Sequence, residues 1–189
     1  MNCIIQQSAF AHFFTASTKS APFWLVVRLY LGWEWLVAGW VKVTNPAWFG
    51  ADAGAAMQGF INGAIAKTAC APEVPAAACH PDVQLWYASF LQNAVLPNLT
   101  AWSNAIAVGE LLVGLGLIVG LFIGIAAFFG FFMNINFLFA GAVSLNPVWL
   151  VLALGLMLAR RVAGYWGLDR YARPYLSRVW RSRNVSATT

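Results

Sequence analysis

Residues 28–42 read RLYLGWEWLVAGWVK, and whether this stretch crosses a lipid bilayer decides the fold of the whole chain. It lies in an apolar run, 22–41, which at 1.5 Å per helical residue is long enough for about 30 Å of hydrocarbon. Yet it carries Arg28 and Glu34, the latter between Trp33 and Trp35. The rest of the chain argues for the membrane. Of its 189 residues 61% are hydrophobic and 9% charged, against about 25% charged in a typical soluble domain. Two further runs, 102–122 and 124–145, have spanning length, and a fourth, 148–159, stops short before Arg160 and Arg161. Arginine stems can snorkel towards headgroups, so the fourth is counted as a span reaching residue 166, with a re-entrant half-helix as the alternative.

The expected fold is therefore all-α: a membrane four-helix bundle over 22–166, with spans at about 22–41, 102–122, 124–145 and 148–166. Residues 1–21 form a cytoplasmic N-terminal segment and 167–189 a basic cytoplasmic tail. The first twenty residues lack a basic region ahead of a continuous apolar core and do not read as a cleaved signal peptide. Seven of the eleven Lys and Arg residues lie at or beyond Arg160, whereas the loop 43–101 and its border hold only Lys67 and Lys42. The positive-inside rule then puts both termini in the cytoplasm and the long loop outside. In the tail, Leu168, Tyr171, Ala172, Tyr175 and Val179 share a helical arc opposite Arg170, Arg173 and Arg181, the pattern of an amphipathic helix on an anionic inner leaflet. The bilayer is the partner this basic segment implies, and no nucleic acid is expected.

The outer loop carries two helical periodicities: Met57, Phe60, Ile61, Ala64 and Ile65, then Val83, Trp86, Tyr87, Phe90 and Leu91. Each reads as a short amphipathic helix capping the bundle, the second opened by Pro81-Asp82, with Pro97-Asn98 leading into the second span. Cys70 and Cys79 lie between them. A disulfide there closes a small loop and contributes about 2–3 kcal/mol in the chain-entropy model. A redox-active dithiol is the sharper alternative, against which the spacing counts. Cys3 is a lone thiol on the reducing side.

Several chemistries are disfavoured. His12 and His80 both lie outside the spans, so helical haem ligation is not expected, and no His/Cys cluster has metal-site spacing. Gly116, Gly120 and Gly124 repeat every fourth residue and read as close helix packing rather than a nucleotide loop. What remains is polar groups within spans: Arg28, Glu34, Glu110, Asn134 and Asn136. Ionisable groups at mid-membrane cost about 2.5–3.5 kcal/mol on insertion scales and so mark partners or function. Counting from the span centres puts Glu34, Glu110 and Asn136 in one layer, about 3 Å to the outer side for the two acids. Arg28 lies about 9 Å deeper than Glu34 and about 120° around the helix, so the two are not a pair. Arg28 reaching outward could instead meet Glu110. One reading is a packing lock; the other is a site in which Glu34 and Glu110 handle protons beside a quinone, with Arg28, Trp33 and Asn136 holding it.

The blocks GWEWLVAGWVKVTNPAWF, GFINGAI, HPDVQLWYASFLQNAVLPN, WSNAIAVGELLVGLGLIVGLFIGIAAFFGFFMNINFLFAGAVSLNP and RRVAGYWGLDR occur in order over most of residues 28–170. Together they resemble the DoxX/DoxD family of small four-helix membrane proteins. That resemblance implies a multi-pass protein of a bacterial or archaeal plasma membrane. It also implies a quinone cofactor, partner membrane or periplasmic subunits, and the large-subunit role in a thiosulfate:quinone oxidoreductase that converts thiosulfate to tetrathionate. Outside, only Lys42 and Lys67 are available to a dianion. A non-catalytic accessory subunit of a larger respiratory or photosynthetic complex is the competing expectation. Transport is a weaker third, because no inverted repeat or broken helix is evident.

Overall fold

A computed structural model describes residues 8–70, 72, 74, 75, 78–172, 174 and 175. All regular structure among them is helical. The elements are α1 (Ala9–Ala16), α2 (Ala21–Val43), α3 (Ala55–Ala66), α4 (Leu85–Phe90), α5 (Leu99–Val119), α6 (Ile123–Phe139), α7 (Asn146–Leu158) and α8 (Arg160–Ala163). Four of these form the body of the molecule: α2 packs along α5, α6 along α7, and α5–α6 and α2–α7 contacts close the ring. The arc Val27, Leu31, Trp35 of α2 meets Val113 and Leu117 of α5, Ala127 of α6 and Leu156 of α7 in one core.

Glycine sets the α2–α5 approach. A methyl at Gly39 would lie 2.8 Å from Leu111 Cα, and one at Gly114 would lie 2.6 Å from Leu36 Cα. One at Gly32 would meet Leu117 Cβ at 3.0 Å. The helices therefore touch backbone to backbone, in antiparallel register, through Gly32, Gly39 and Gly114. The series Gly116, Gly120, Gly124 is used differently. Gly120 ends α5 in the left-handed conformation (φ +72) as its C-cap, and only glycine also leaves room there for Gly167 Cα, 2.8 Å from where a side chain would begin.

The loop between α2 and α5 builds a cap with a second core, in which Met57, Ile61 and Ala64 of α3 meet Val83, Tyr87, Ala88 and Leu91. Its second helix departs from the expectation at its start. Pro81-Asp82 does not open it; α4 begins at Leu85, because Val83 is buried and its N–H donates to the Lys67 carbonyl at 3.3 Å instead of starting a turn. As expected, Pro97-Asn98 leads into the next long helix. A wide π turn, Leu91–Val95, and a 3-10 turn, Leu96–Asn98, carry the chain into α5. Proline cannot donate the bond a regular helix needs at that point, and the irregular turns accommodate its absence. The 35-residue stretch Leu85–Val119 is thus continuous, and by length and hydropathy it is able to cross a membrane. The apolar helices Ile123–Phe139 and Asn146–Leu158 are shorter. Ala21–Val43 has the length but contains Arg28, Glu34, Lys42 and four tryptophans.

The fourth expected span does not run on to residue 166. Helix α7 stops at Leu158, and after the short α8 the chain turns through Gly164–Gly167. Leu168 and Asp169 then donate backbone N–H groups to the Val119 and Gly120 carbonyls at the end of α5. Capping those carbonyls requires the break. Helical residues resume at 169, with Leu168, Tyr171 and Tyr175 exposed. Cys3, Arg173 and the tail beyond residue 175, including Val179 and Arg181, lie outside the described residues.

Cys70 and Cys79 form a disulfide. The nine-residue separation predicts that reduction lowers stability by about 2–3 kcal/mol in the chain-entropy model. Unfolding curves with and without reductant check this, and coincident curves would show that the closed loop contributes nothing.

Candidate functional site

The α2 stripe that faces α5 runs Arg28, Gly32, Trp35, Gly39 and, one step further, Lys42. Its two ends each hold a cation, and each cation lies near a different acid. At the C-terminal end of α2 Lys42 Nζ lies 2.6 Å from Glu110 Oε2, with the Glu110 side chain 1% exposed and Lys42 18%. Lys42 also stands over the Trp48 ring at 5.2 Å, and the Trp48 carbonyl accepts from Ser103 Oγ at 2.6 Å. The pair therefore ties the first turn of the loop after α2 to α5.

Arg28 is at the other end, and the Arg28–Glu110 contact suggested by the sequence does not form. The antiparallel register sets Gly39 beside Glu110 and Arg28 beside Gly120, ten residues apart along α5, or about 15 Å. Arg28 is buried, with Nη1 against Gly120 and Gly167 and 3.4 Å from the Ala163 carbonyl. The charge of Asp169 acts on it from beyond salt-bridge distance. That carboxylate accepts the Phe122 N–H at 2.7 Å and the Ile123 N–H at 3.3 Å, capping the first turn of α6 from a distant part of the chain. One buried acid thus satisfies a helix N-terminus and adds a favourable charge near a buried arginine. Asp169→Asn keeps an oxygen for one N–H but removes the charge, and we expect a loss of about 1–3 kcal/mol. Denaturation in detergent measures it; unchanged stability would show that the clasp is dispensable.

Glu34 and Glu110 do not share a cavity. Glu34 is five residues before Gly39, about 140° around the helix, and it is half-buried on the side of α2 away from α5. It has no hydrogen-bond or ion-pair partner among the described residues. Trp33 is exposed beside it and walls no interior pocket. Asn136 is committed elsewhere: Tyr87 Oη lies 3.0 Å from its carbonyl and 3.1 Å from its Oδ1, and its Nδ2 donates to the Phe132 carbonyl at 2.8 Å. It fastens the cap to α6.

Asn134 differs from all of these. It is 0% exposed, and neither its Oδ1 nor its Nδ2 has a hydrogen-bond partner. One turn before it on the same buried face is Gly130, where a methyl would lie 3.2 Å from Trp35 Nε1. That indole nitrogen and the Nε1 of Trp149, whose rings are 6.0 Å apart, are likewise without partners. Unpaired buried polar groups cost about 1–3 kcal/mol each, so this interior holds polar groups at a cost to stability.

Two participants escaped the sequence reading, Lys42 and Asp169. Lys42 was accessible by extending the glycine stripe one more turn. Asp169 is the one acid after Glu110, and it follows the last glycine of RRVAGYWGLDR. No group of three or more His, Cys, Asp or Glu side chains converges among the described residues. Of the two lysines expected to meet a dianion, Lys42 is bound to Glu110, and Lys67 Nζ donates to the Gly141 carbonyl at 2.7 Å. Compared with protein-family models, with curated proteins and with solved structures, the chain matches none.

Proposed function

We propose that the chain is an integral membrane protein in which α2, α5, α6 and α7 cross the bilayer, and that it serves as a subunit of a larger membrane assembly. An apolar girdle supports the membrane reading. Trp40, Leu112, Ile125, Phe132 and Val151 come from all four helices and are each more than half exposed, an extent of oily surface that water does not tolerate. Positive-inside orientation places α1 and α8 in the cytoplasm and α3 and α4 outside. The DoxX/DoxD resemblance belongs to this proposal and agrees with it.

Glu34 is the observation that carries the subunit reading. It interrupts the exposed face Tyr30, Trp33, Val37 and Val41 near the middle of α2. A carboxyl facing lipid tails at that depth is expensive unless a neighbour supplies a donor, and none of the described residues does. A helix of another subunit laid along this face would bury the rings and pair the acid. Extracted from native membranes in mild detergent, the protein is expected to elute with that partner, and Glu34→Ala to weaken the association about tenfold or more. Recovery of the unmodified chain as a lone monomer would sink the reading.

A second reading, a subunit that itself binds the quinone of a thiosulfate:quinone oxidoreductase, draws on the free polar atoms of Asn134, Trp35 and Trp149. Asn134→Leu would then slow quinone reduction by the purified assembly about tenfold. Unaltered turnover with intact assembly would leave the accessory role. The outer face offers a thiosulfate dianion no free cluster of cations among the described residues, which favours the first reading.

A further inference from the structure

At the inner end of the molecule an open cleft of about 520 Å3 lies between the N-terminal hairpin and the α7–α8 junction. Two structural events create it. Ser17 leaves the helical conformation (ψ 129) and stops α1, so the chain reverses, and Trp24 Nε1 pins the hairpin by donating to the Phe14 carbonyl at 2.7 Å. On the other side, the break after Leu158 turns α8 so that Arg160 and Arg161 reach the same opening. Thr15 and Thr18 line it from the hairpin, and Met157 and Leu158 supply an apolar floor.

The chemistry of the lining is one-sided. Two arginines and three hydroxyl-bearing residues, Thr15, Thr18 and Tyr165, line the cleft, and no carboxylate does. Thr15 uses its proton on the Ala11 carbonyl at 2.7 Å, while the Thr18 hydroxyl makes no hydrogen bond among the described residues and is exposed. Arg161 is exposed as well. The Arg160 stem rests on Gly124, and a second cleft beyond it, of about 770 Å3, does contain an acid, Asp169. The two sides of the arginine pair are therefore not equivalent, and only the hairpin side suits an anion.

We propose that this hairpin cleft binds the phosphate headgroup of an anionic phospholipid. Arg161 holds the phosphate by paired N–H donors, as planar guanidinium groups do. Thr18 donates a third bond, and the acyl chains run up the floor past Leu158, which is 67% exposed. That floor is what selects a lipid over a free phosphate ion. Exposed rings of Phe13, Phe23 and Trp166 surround the same end of the molecule, as aromatic side chains do at the level of headgroups. The inference rests on the membrane reading above.

The test uses the full chain in neutral detergent, titrated with phosphatidylglycerol or phosphatidylcholine and followed by native mass spectrometry. We expect phosphatidylglycerol to be retained about tenfold more tightly than phosphatidylcholine, and Arg161→Gln to abolish that preference. Thr18→Val, which changes no charge, should weaken it about threefold. Arg170→Gln removes an equal charge at the same end but outside the cleft lining, and should leave the preference intact. Equal losses in Arg161→Gln and Arg170→Gln would overturn the site in favour of diffuse surface charge. Displacement of the lipid by millimolar inorganic phosphate would overturn the lipid as its occupant. Alkaline extraction separates the two levels. Release of the chain from membranes would reject the membrane reading itself, whereas a retained chain with no lipid preference rejects the cleft alone.

Discussion

Lys42→Met is expected to cost about 3–5 kcal/mol, because it leaves the Glu110 carboxylate buried without its cation. Glu110 is 1% exposed, and Lys42 is its one hydrogen-bond partner among the described residues. The reverse change should be milder. With Glu110→Gln the ammonium, 18% exposed, can swing outward on its flexible stem, and about 1–3 kcal/mol should be lost. The double replacement Lys42→Met with Glu110→Leu should return to within about 1–2 kcal/mol of the starting protein, since an apolar pair needs no compensation. Denaturant unfolding in detergent micelles of all three variants gives the cycle. A loss below about 1 kcal/mol for Lys42→Met would mean that the pair contributes no more than a surface salt bridge. The same cycle bears on function: if Glu110→Gln reduces activity only in proportion to folded protein, the residue is a lock and not a proton carrier.

Gly39→Ala should be nearly as damaging, at about 3 kcal/mol, and Gly114→Ala similar. The added methyl at Gly39 would meet Leu111 Cα at 2.8 Å and the Glu110 carbonyl carbon at 2.9 Å, and at Gly114 it would meet Leu36 Cα at 2.6 Å and the Gly32 carbonyl oxygen at 2.9 Å. These neighbours are backbone, so no side-chain rotation relieves the overlap, and α2 must back away from α5. Retreat at Gly39 also strains the Lys42–Glu110 bond one turn further on. Gly59 and Gly63 provide the contrast. Both lie inside α3, and a methyl at either meets nothing within 4 Å, so alanine there should stabilise by about 0.5–1 kcal/mol through helix propensity. Thermal unfolding of the four variants decides the matter, and losses of similar size at all four positions would contradict the packing assigned to α2 and α5.

The helices were legible to different degrees. The run 22–41 became Ala21–Val43, and the spacing of Met57, Ile61 and Ala64 marked the buried face of α3. Such features are local: an apolar stripe repeats with the helix period, and the segment that carries it is read without knowing its neighbours. Pro81-Asp82 misled for a reason of the same kind. A proline states what its own backbone cannot do, but whether the chain starts a helix, kinks or continues depends on whether a partner takes the remaining bonds, as the Lys67 carbonyl does for Val83.

From composition and periodicity alone follow an all-helical chain, its main apolar segments, and the sharing of one helix face by Arg28, Gly32, Trp35 and Gly39. Tertiary structure alone decided which acid lies near each cation. Lys42 and Glu110 are 68 residues apart, and the Ala163 carbonyl that receives Arg28 is 135 residues away from it. No local pattern encodes those distances. They are set by where two helix backbones can touch, and the glycines at 32, 39 and 114 allow that touch in one register, which delivers Arg28 to the Asp169 clasp, Lys42 to Glu110, and leaves Glu34 facing outward.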